Sequence, residues 1–153
     1  MDRDFTIRPA DAASPPARAC MGAYFDELAR IFPGGFDPGP PGDPAELSPP
    51  QGVFLLAWQG DAAMGCVALR RLGPAVGEVK RLWVAPAARG RGLAQTLMAA
   101  VEDRARGFGF SRLCLDTSRH LPAAVAFYRR AGWAEIPRYN DNPYAHHWFS
   151  RAL

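Results

Sequence analysis

Residues Glu78 to Ala94 read E-V-K-R-L-W-V-A-P-A-A-R-G-R-G-L-A. An apolar extended run enters a turn rich in Gly and Arg, and the turn opens directly onto residues with helical spacing. N–H groups in the first turn of a helix have no intrahelical partner, and with the positive end of the helix dipole they make an anion site. The stretch therefore predicts a strand, a turn and a helix arranged to hold a phosphorylated ligand.

Working outward, Leu93, Leu97, Val101 and Ala105, with Ala94 and Met98 beside them, mark one face of a helix ending at Gly107. Glu102 and Arg106 form an i, i+4 pair on its outside. Arg112 to Asp116 follows as a short buried strand, expected parallel to Val79–Val84 because a helix crosses over between them. A helix from about Pro122 to Ala131 is stopped by Gly132. Trp133 to Ile136 is a strand, Pro137 to Pro143 a loop, and Ala145 to Leu153 a final alternating strand. Upstream, Val53–Trp58 and Ala63–Leu72 flank the turn residues Gln59-Gly60-Asp61 and predict an antiparallel hairpin. Phe5 to Arg8 is a first strand ended by Pro9, and a helix runs from an N-cap at Ser14 to Ile31. In Val76–Val84, strict alternation puts Val79, Arg81 and Trp83 on one face and Glu78, Lys80, Leu82 and Val84 on the other.

Between Pro33 and Gly52, 12 of 20 residues are Gly or Pro, which removes backbone donors and forbids a long regular element. One helical turn near Ala45 to Leu47 is expected there. Two readings of this loop stand: an ordered border to a binding site, or a disordered insertion.

The 153 residues are expected to form a single domain, residues 1–153. A net charge of +3, with arginines spread along the chain, speaks against a dedicated nucleic-acid partner. Cys20, Cys66 and Cys114 sit among apolar neighbours and read as buried thiols. His120, His146 and His147 lack metal-ligand spacing, so no metal is expected. A charged M-D-R-D start and the lack of an apolar run of about 18 residues lead to the expectation of a cytoplasmic protein without a membrane partner.

The turn does not carry the lysine and hydroxyl of a P-loop. A dinucleotide fingerprint is a closer competitor, since Asp116 ends the next strand, but its third small position is Gln95 and a hairpin precedes it. Arg89-Gly90-Arg91-Gly92-Leu93-Ala94 resembles the R/Q-x-x-G-x-G/A pattern of the GNAT superfamily of acetyl-CoA-dependent N-acetyltransferases. The resemblance covers most of the chain. F-Y-R-R-A-G-W at Phe127–Trp133 is similar to that family's second helical motif. E-V-K-R-L-W-V, L-D-T at Leu115–Thr117 and Y-N-D-N-P at Tyr139–Pro143 resemble a bacterial subgroup of small members.

The resemblance implies an α+β fold: a mixed, mostly antiparallel central sheet of six to seven strands, a splayed parallel pair in its middle, and helices on both faces. It implies acetyl-CoA as cofactor, with Leu82, Trp83 and Val84 as a rail for pantetheine. Arg89, Gly90, Arg91, Gly92, Leu93 and Ala94 would hold the pyrophosphate, with Ala124 and Phe127 on the facing helix. Arg91 reads equally as a surface arginine, and Leu121 stands where many relatives carry an asparagine.

Near pH 7.4 an alkylamine is only about one-thousandth neutral, so a base is useful. Glu78 occupies the offset of the family's glutamate base, and alternation puts it on the Leu82/Val84 face. The other reading is a surface glutamate paired with an arginine. Tyr128 stands where the family places its acid; packing by its ring is the alternative. Asp116, Tyr139, Asp141 and Asn142 would line the acceptor side, where carboxylates would favour a cationic amine. The expected acceptor is a small-molecule amine, with a homodimer as an allowed assembly. Protein acetylation and a non-catalytic acyl-CoA sensor are the competing functions.

Overall fold

The computed structural model describes residues 5–153; the charged M-D-R-D start quoted above lies outside them. Seven strands form a single sheet in the order β1-β2-β3-β4-β5-β7-β6. They are β1 (Thr6–Pro9), β2 (Gly52–Gln59), β3 (Ala62–Gly73), β4 (Val76–Val84), β5 (Arg112–Thr117), β6 (Ala134–Ile136) and β7 (His147–Ala152). The helices are α1 (Pro15–Ile31), α2 (Leu93–Gly107) and α3 (Pro122–Arg130). Every neighbouring pair is antiparallel except β4 and β5.

The apolar run in β2 shows why helices cover both faces. Val53, Leu55 and Ala57 enter a core with α2 and α3, whereas Phe54 and Leu56 enter a second core under α1. Successive strand residues point to opposite faces, so a strand apolar at every position must be covered on both. Pro9 is the last residue of β1, not a breaker after it. At the sheet edge its missing N–H removes no ladder bond. Ser14 stands at the α1 N-cap without bonding the helix, and its hydroxyl donates to Asp11 O at 2.6 Å. Pro15 and Pro16 follow it and offer no N–H to cap.

Two departures from simple alternation position the site. The parallel pairing of β4 with β5 covers Val76, Gly77 and Glu78 against Arg112, Leu113 and Cys114. Beyond it β5 pairs with β7 and β4 with β3, and a cleft opens between them. The second departure is a bulge in β4. Lys80 pairs with Ala68 and Trp83 with Cys66, so Arg81 and Leu82 together face Val67, and Arg81 has φ of 59°.

That extra residue shifts the phase of the strand by one. Val79, Leu82 and Val84 therefore share the α2/α3 face, and Trp83 packs in the α1 core. Glu78, opposite Arg70 in register, lies on the α1 face. The expectation that Glu78 shares the Leu82/Val84 face is thus corrected: strict period two fails at the bulge.

The loop after α1 is packed. Phe36 lies 5.6 Å from the Phe25 ring and 4.8 Å from the Tyr144 ring, and Asp37 N donates to Tyr144 Oη at 2.9 Å. A 3₁₀ turn at Pro44–Leu47, close to the expected place, is capped by the Asp43 carboxylate.

Candidate active site

The cleft between the diverging strands widens into a cavity of about 820 Å³. Leu82, Trp83 and Val84 form one wall, and Asp116, Thr117 and Ser118 at the end of β5 form the other. α3 contributes Ala124 and Tyr128, and the loop after α1 contributes Phe36 to Gly39. The two strand ends have lost each other as hydrogen-bonding partners, so backbone groups along this edge of β4 are open to a ligand.

At one end of the cleft, α2 starts without a side-chain cap, behind Gly90 at φ 77° and Gly92 at φ 76°. Both lie in the left-handed region, which a residue with a Cβ enters only at a cost. Apart from its two chain neighbours, nothing lies within 4 Å of where a Cβ on Gly90 would stand, so a ligand can approach the backbone there. The first-turn amides of Leu93 and Ala94 are left for an anion, while the Leu93 side chain is buried in the core.

Arg89 contributes less charge to the turn than the sequence suggests. Arg89 Nε donates to Val84 O at 2.9 Å and its Nη2 meets Glu27 Oε1 at 2.6 Å. Its positive charge is therefore matched by Glu27, and it braces the turn against the end of β4. The Arg91 guanidinium lies 4.5 Å from the Phe5 ring centre, a cation–π contact. Phe127 packs by its ring against Tyr128 and the core.

Glu78 is 2% exposed, yet it borders the cavity. Its Oε1 accepts from Arg70 Nε at 2.8 Å and its Oε2 from Tyr139 Oη at 2.6 Å. An ionised carboxylate has about four acceptor positions, so this pairing leaves room for a further donor. Burial, and then the bond to Glu78, push the Tyr139 phenol well above its ordinary value.

Tyr128 packs against the Phe127, Trp133 and Phe149 rings and borders the cavity. Burial raises its pKa. Tyr24 of α1 also lines the cavity, with its pKa raised chiefly by burial.

The segment Tyr139–Pro143 divides by direction. Asn140 Nδ2 donates to Asp116 Oδ2 at 2.6 Å, and Asn142 Nδ2 to Asp116 Oδ1 at 3.1 Å. Trp148 Nε1 closes this network by donating to Asn140 Oδ1 at 2.9 Å. Asp141, between the two inward asparagines, is exposed and pairs with Arg138, so its expected place on the acceptor side is corrected. Asn140 was missed in the sequence, where it looked like one more turn residue. Two of the histidines have polar partners, Arg119 N donating to His146 Nδ1 at 3.2 Å and His147 Nδ1 lying 2.6 Å from Glu135 Oε2, and the His120 ring packs near those of Phe32 and His146. No group of three or more His, Cys, Asp or Glu side chains able to hold a metal exists among the described residues. None of their helices is long and apolar enough to cross a membrane.

Known proteins with this arrangement agree on a class. The sequence pattern of the Acetyltransferase (GNAT) family matches residues 21–133, and the chain belongs to that family. An IAA acetyltransferase of Azospirillum brasilense is 37% identical over 91 residues, covering 58% of this chain and 59% of that protein. The chain spans about three fifths of the length of that protein and of an uncharacterized N-acetyltransferase of Schizosaccharomyces pombe. Among solved structures, an acetyltransferase from Streptococcus agalactiae superposes with a TM-score of 0.84 at 20% identity, over 99% of both chains. A GNAT family acetyltransferase from Elizabethkingia anophelis with acetyl-CoA bound gives 0.67 at 17% identity, over 98% of this chain and 99% of that one. These two likenesses concern the fold. Acetyl-CoA is the acyl donor of the family, and the splayed cleft with an uncapped helix start and an open Gly90 fits it.

Proposed function

We propose that the chain transfers the acetyl group of acetyl-CoA to a primary amine of a small molecule. The observation that carries this reading is one cleft that runs from Arg89, just before the uncapped start of α2, past the open edge of β4, to a cavity bordered by Glu78 and Tyr128. Bound acetyl-CoA would supply an activated thioester. The amides of Leu93 and Ala94 would hold its pyrophosphate, Leu82 to Val84 would align its arm, and Ala124 and Phe127 would flank it from α3.

Glu78 is the proposed general base. It is held in one orientation by Arg70 and Tyr139 and keeps acceptor positions free toward the cavity, so it can take the proton of an ammonium directly or through one water. Tyr128 is the proposed donor to the leaving sulfur. Its raised pKa keeps the proton on Oη at working pH. A phenol held above a thiol of about 8.5 stabilises a thiolate better by a hydrogen bond than by complete transfer. Phe36 and Tyr144 close the acceptor end, which favours a small acceptor over a polypeptide.

Thiol release from acetyl-CoA against a panel of amines tests this. Turnover on at least one small amine is expected. Saturable CoA binding with no turnover on any amine would make the chain an acyl-CoA sensor.

A further inference from the structure

The acceptor end of the cavity contains a cation that the proposed chemistry does not use. Arg81 is the bulged residue of β4, and the bulge turns its side chain toward α1. There the guanidinium lies 5.4 Å from the Phe25 ring centre, with Nη1 3.1 Å from Met21 Sδ. A thioether is a weak acceptor and a ring face a modest one, so neither neutralises the charge. Arg81 has no ion pair with a carboxylate among the described residues. The acids around the cavity are committed elsewhere: Glu78 to Arg70 and Tyr139, Asp116 to Asn140 and Asn142, Glu27 to Arg89, and Asp37 to the amide of Gly39, which donates to its Oδ1. Burial works against the charge and lowers the Arg81 pKa. A desolvated guanidinium bordering an open cavity without a counterion is an anion site in waiting.

The surroundings narrow the anion. The planar fork of arginine matches a carboxylate with two parallel bonds. Tyr24 lines the same cavity, and a phenol there can serve as a second donor. Phe25, Phe32 and Phe36 make the adjoining wall apolar. The pyrophosphate end of the cleft lies elsewhere, at the start of α2, so Arg81 is not needed for CoA.

We infer that Arg81 binds a carboxylate carried by the acceptor, so that the substrate class is amino acids with an apolar side group. This rests on the reading of the chain as an amine acetyltransferase. It also revises the expectation that carboxylates make the acceptor side select a simple cationic amine. A site built around an unpaired cation discriminates against the uncharged analogue, because that analogue leaves the charge buried and unmatched.

The test uses the full chain saturated with CoA, titrated calorimetrically with L-leucine, L-phenylalanine and 4-aminobutyrate and with their carboxamides. At least one acid should bind about 10- to 100-fold more tightly than its amide. Arg81→Gln should abolish that difference, Arg81→Lys should keep part of it, and CoA affinity should stay within about twofold as a check on folding. Should Arg81→Gln lose CoA binding, the Lys variant carries the comparison through its smaller preference. Equal binding of acid and amide, no binding of any compound, or a preference that survives in Arg81→Gln overturns the assignment. Thiol release measured in parallel separates the two claims. Acid preference without turnover on any amine sinks the acetyltransferase reading and leaves Arg81 standing, whereas turnover without acid preference does the reverse.

Discussion

Tyr139 Oη donates a 2.6 Å hydrogen bond to Glu78 Oε2 while Arg70 Nε holds Oε1 at 2.8 Å. The loop before β7 and the middle of β3 thus grip one carboxylate from two sides. A base held this way loses little entropy on meeting its substrate, but its orientation now depends on residues outside the strand that carries it.

Replacing Glu78 with Gln is expected to lower kcat/KM by about 10²- to 10³-fold near pH 7.5. Tyr139→Phe should cost about tenfold, because it acts through Glu78 and removes a single restraint. The double variant should be no worse than Glu78→Gln alone. Raising the pH supplies neutral amine without a base, so Glu78→Gln should recover more steeply than the wild type between pH 7.5 and 9.5. Steady-state rates on any accepted amine decide this; a wild-type rate in Glu78→Gln ends the assignment.

Tyr128→Phe is expected to reduce kcat by about 10- to 100-fold, with CoA affinity unchanged within about twofold. The variant keeps the ring that packs against Phe127, Trp133 and Phe149, so it should unfold at nearly the wild-type temperature. Tyr24 borders the same cavity and supplies the control. If Tyr24→Phe lowers kcat at saturating amine and Tyr128→Phe does not, the donor is on α1.

Gly90→Ala forces a Cβ into a φ of 77°, at a cost of about 1–2 kcal/mol. Space is not the obstacle, since apart from the two chain neighbours nothing stands within 4 Å of the added carbon. The backbone is instead expected to relax away from its left-handed geometry and withdraw the amides from the pyrophosphate. CoA affinity measured by calorimetry should fall about tenfold with the melting temperature lowered by a few degrees. Unchanged affinity would show that the turn does not cradle the anion.

Burial raises the pKa of Tyr24, Tyr128 and Tyr139 in the folded chain. Each therefore keeps its proton in the native state above pH of about 10, where the unfolded chain gives it up. The stability they contribute is fully present below the unfolded value and is lost as the pH rises toward the folded ones. Phenolate absorbance should show three tyrosines that ionise together with unfolding, detected by circular dichroism in the same alkaline titration. Smooth ionisation of these three before any unfolding would contradict their burial.

The parts of this architecture written in local chemistry were legible beforehand. The β2 run from Val53 to Ala57 is apolar at every position because both its faces are covered, and the Gly90–Gly92 turn shows its purpose in residue type alone. The bulge at Arg81 was not legible, since arginine carries no preference for positive φ and the pairing of β3 with β4 creates the extra residue. It reversed the face of Glu78 relative to Leu82 and gave Arg81 its setting. The insertion of β7 between β5 and β6 was equally hidden, because pairing between distant segments leaves no mark on either one. The Asp116–Asn140–Trp148 network depends on that insertion.

The Phe36 ring meets those of Phe25, Phe32 and Tyr144, and beside it Asp37 N donates to Tyr144 Oη. A segment so rich in Gly and Pro has no regular ladder to hold it, so these rings are its main tie to the cavity. Aromatic pairs are worth about 0.5–1.5 kcal/mol each beyond burial, enough for their loss to free the loop without unfolding the sheet. Phe36→Ala should therefore raise the KM of the amine about tenfold, at little change in CoA affinity, by exposing the acceptor end to water. Limited proteolysis should cut the variant between Pro33 and Gly42 several times faster than the wild type, while the global melting temperature falls by only a few degrees. Equal cleavage rates together with an unchanged KM would mean that the loop does not close the site, and would reopen the cavity to a larger acceptor.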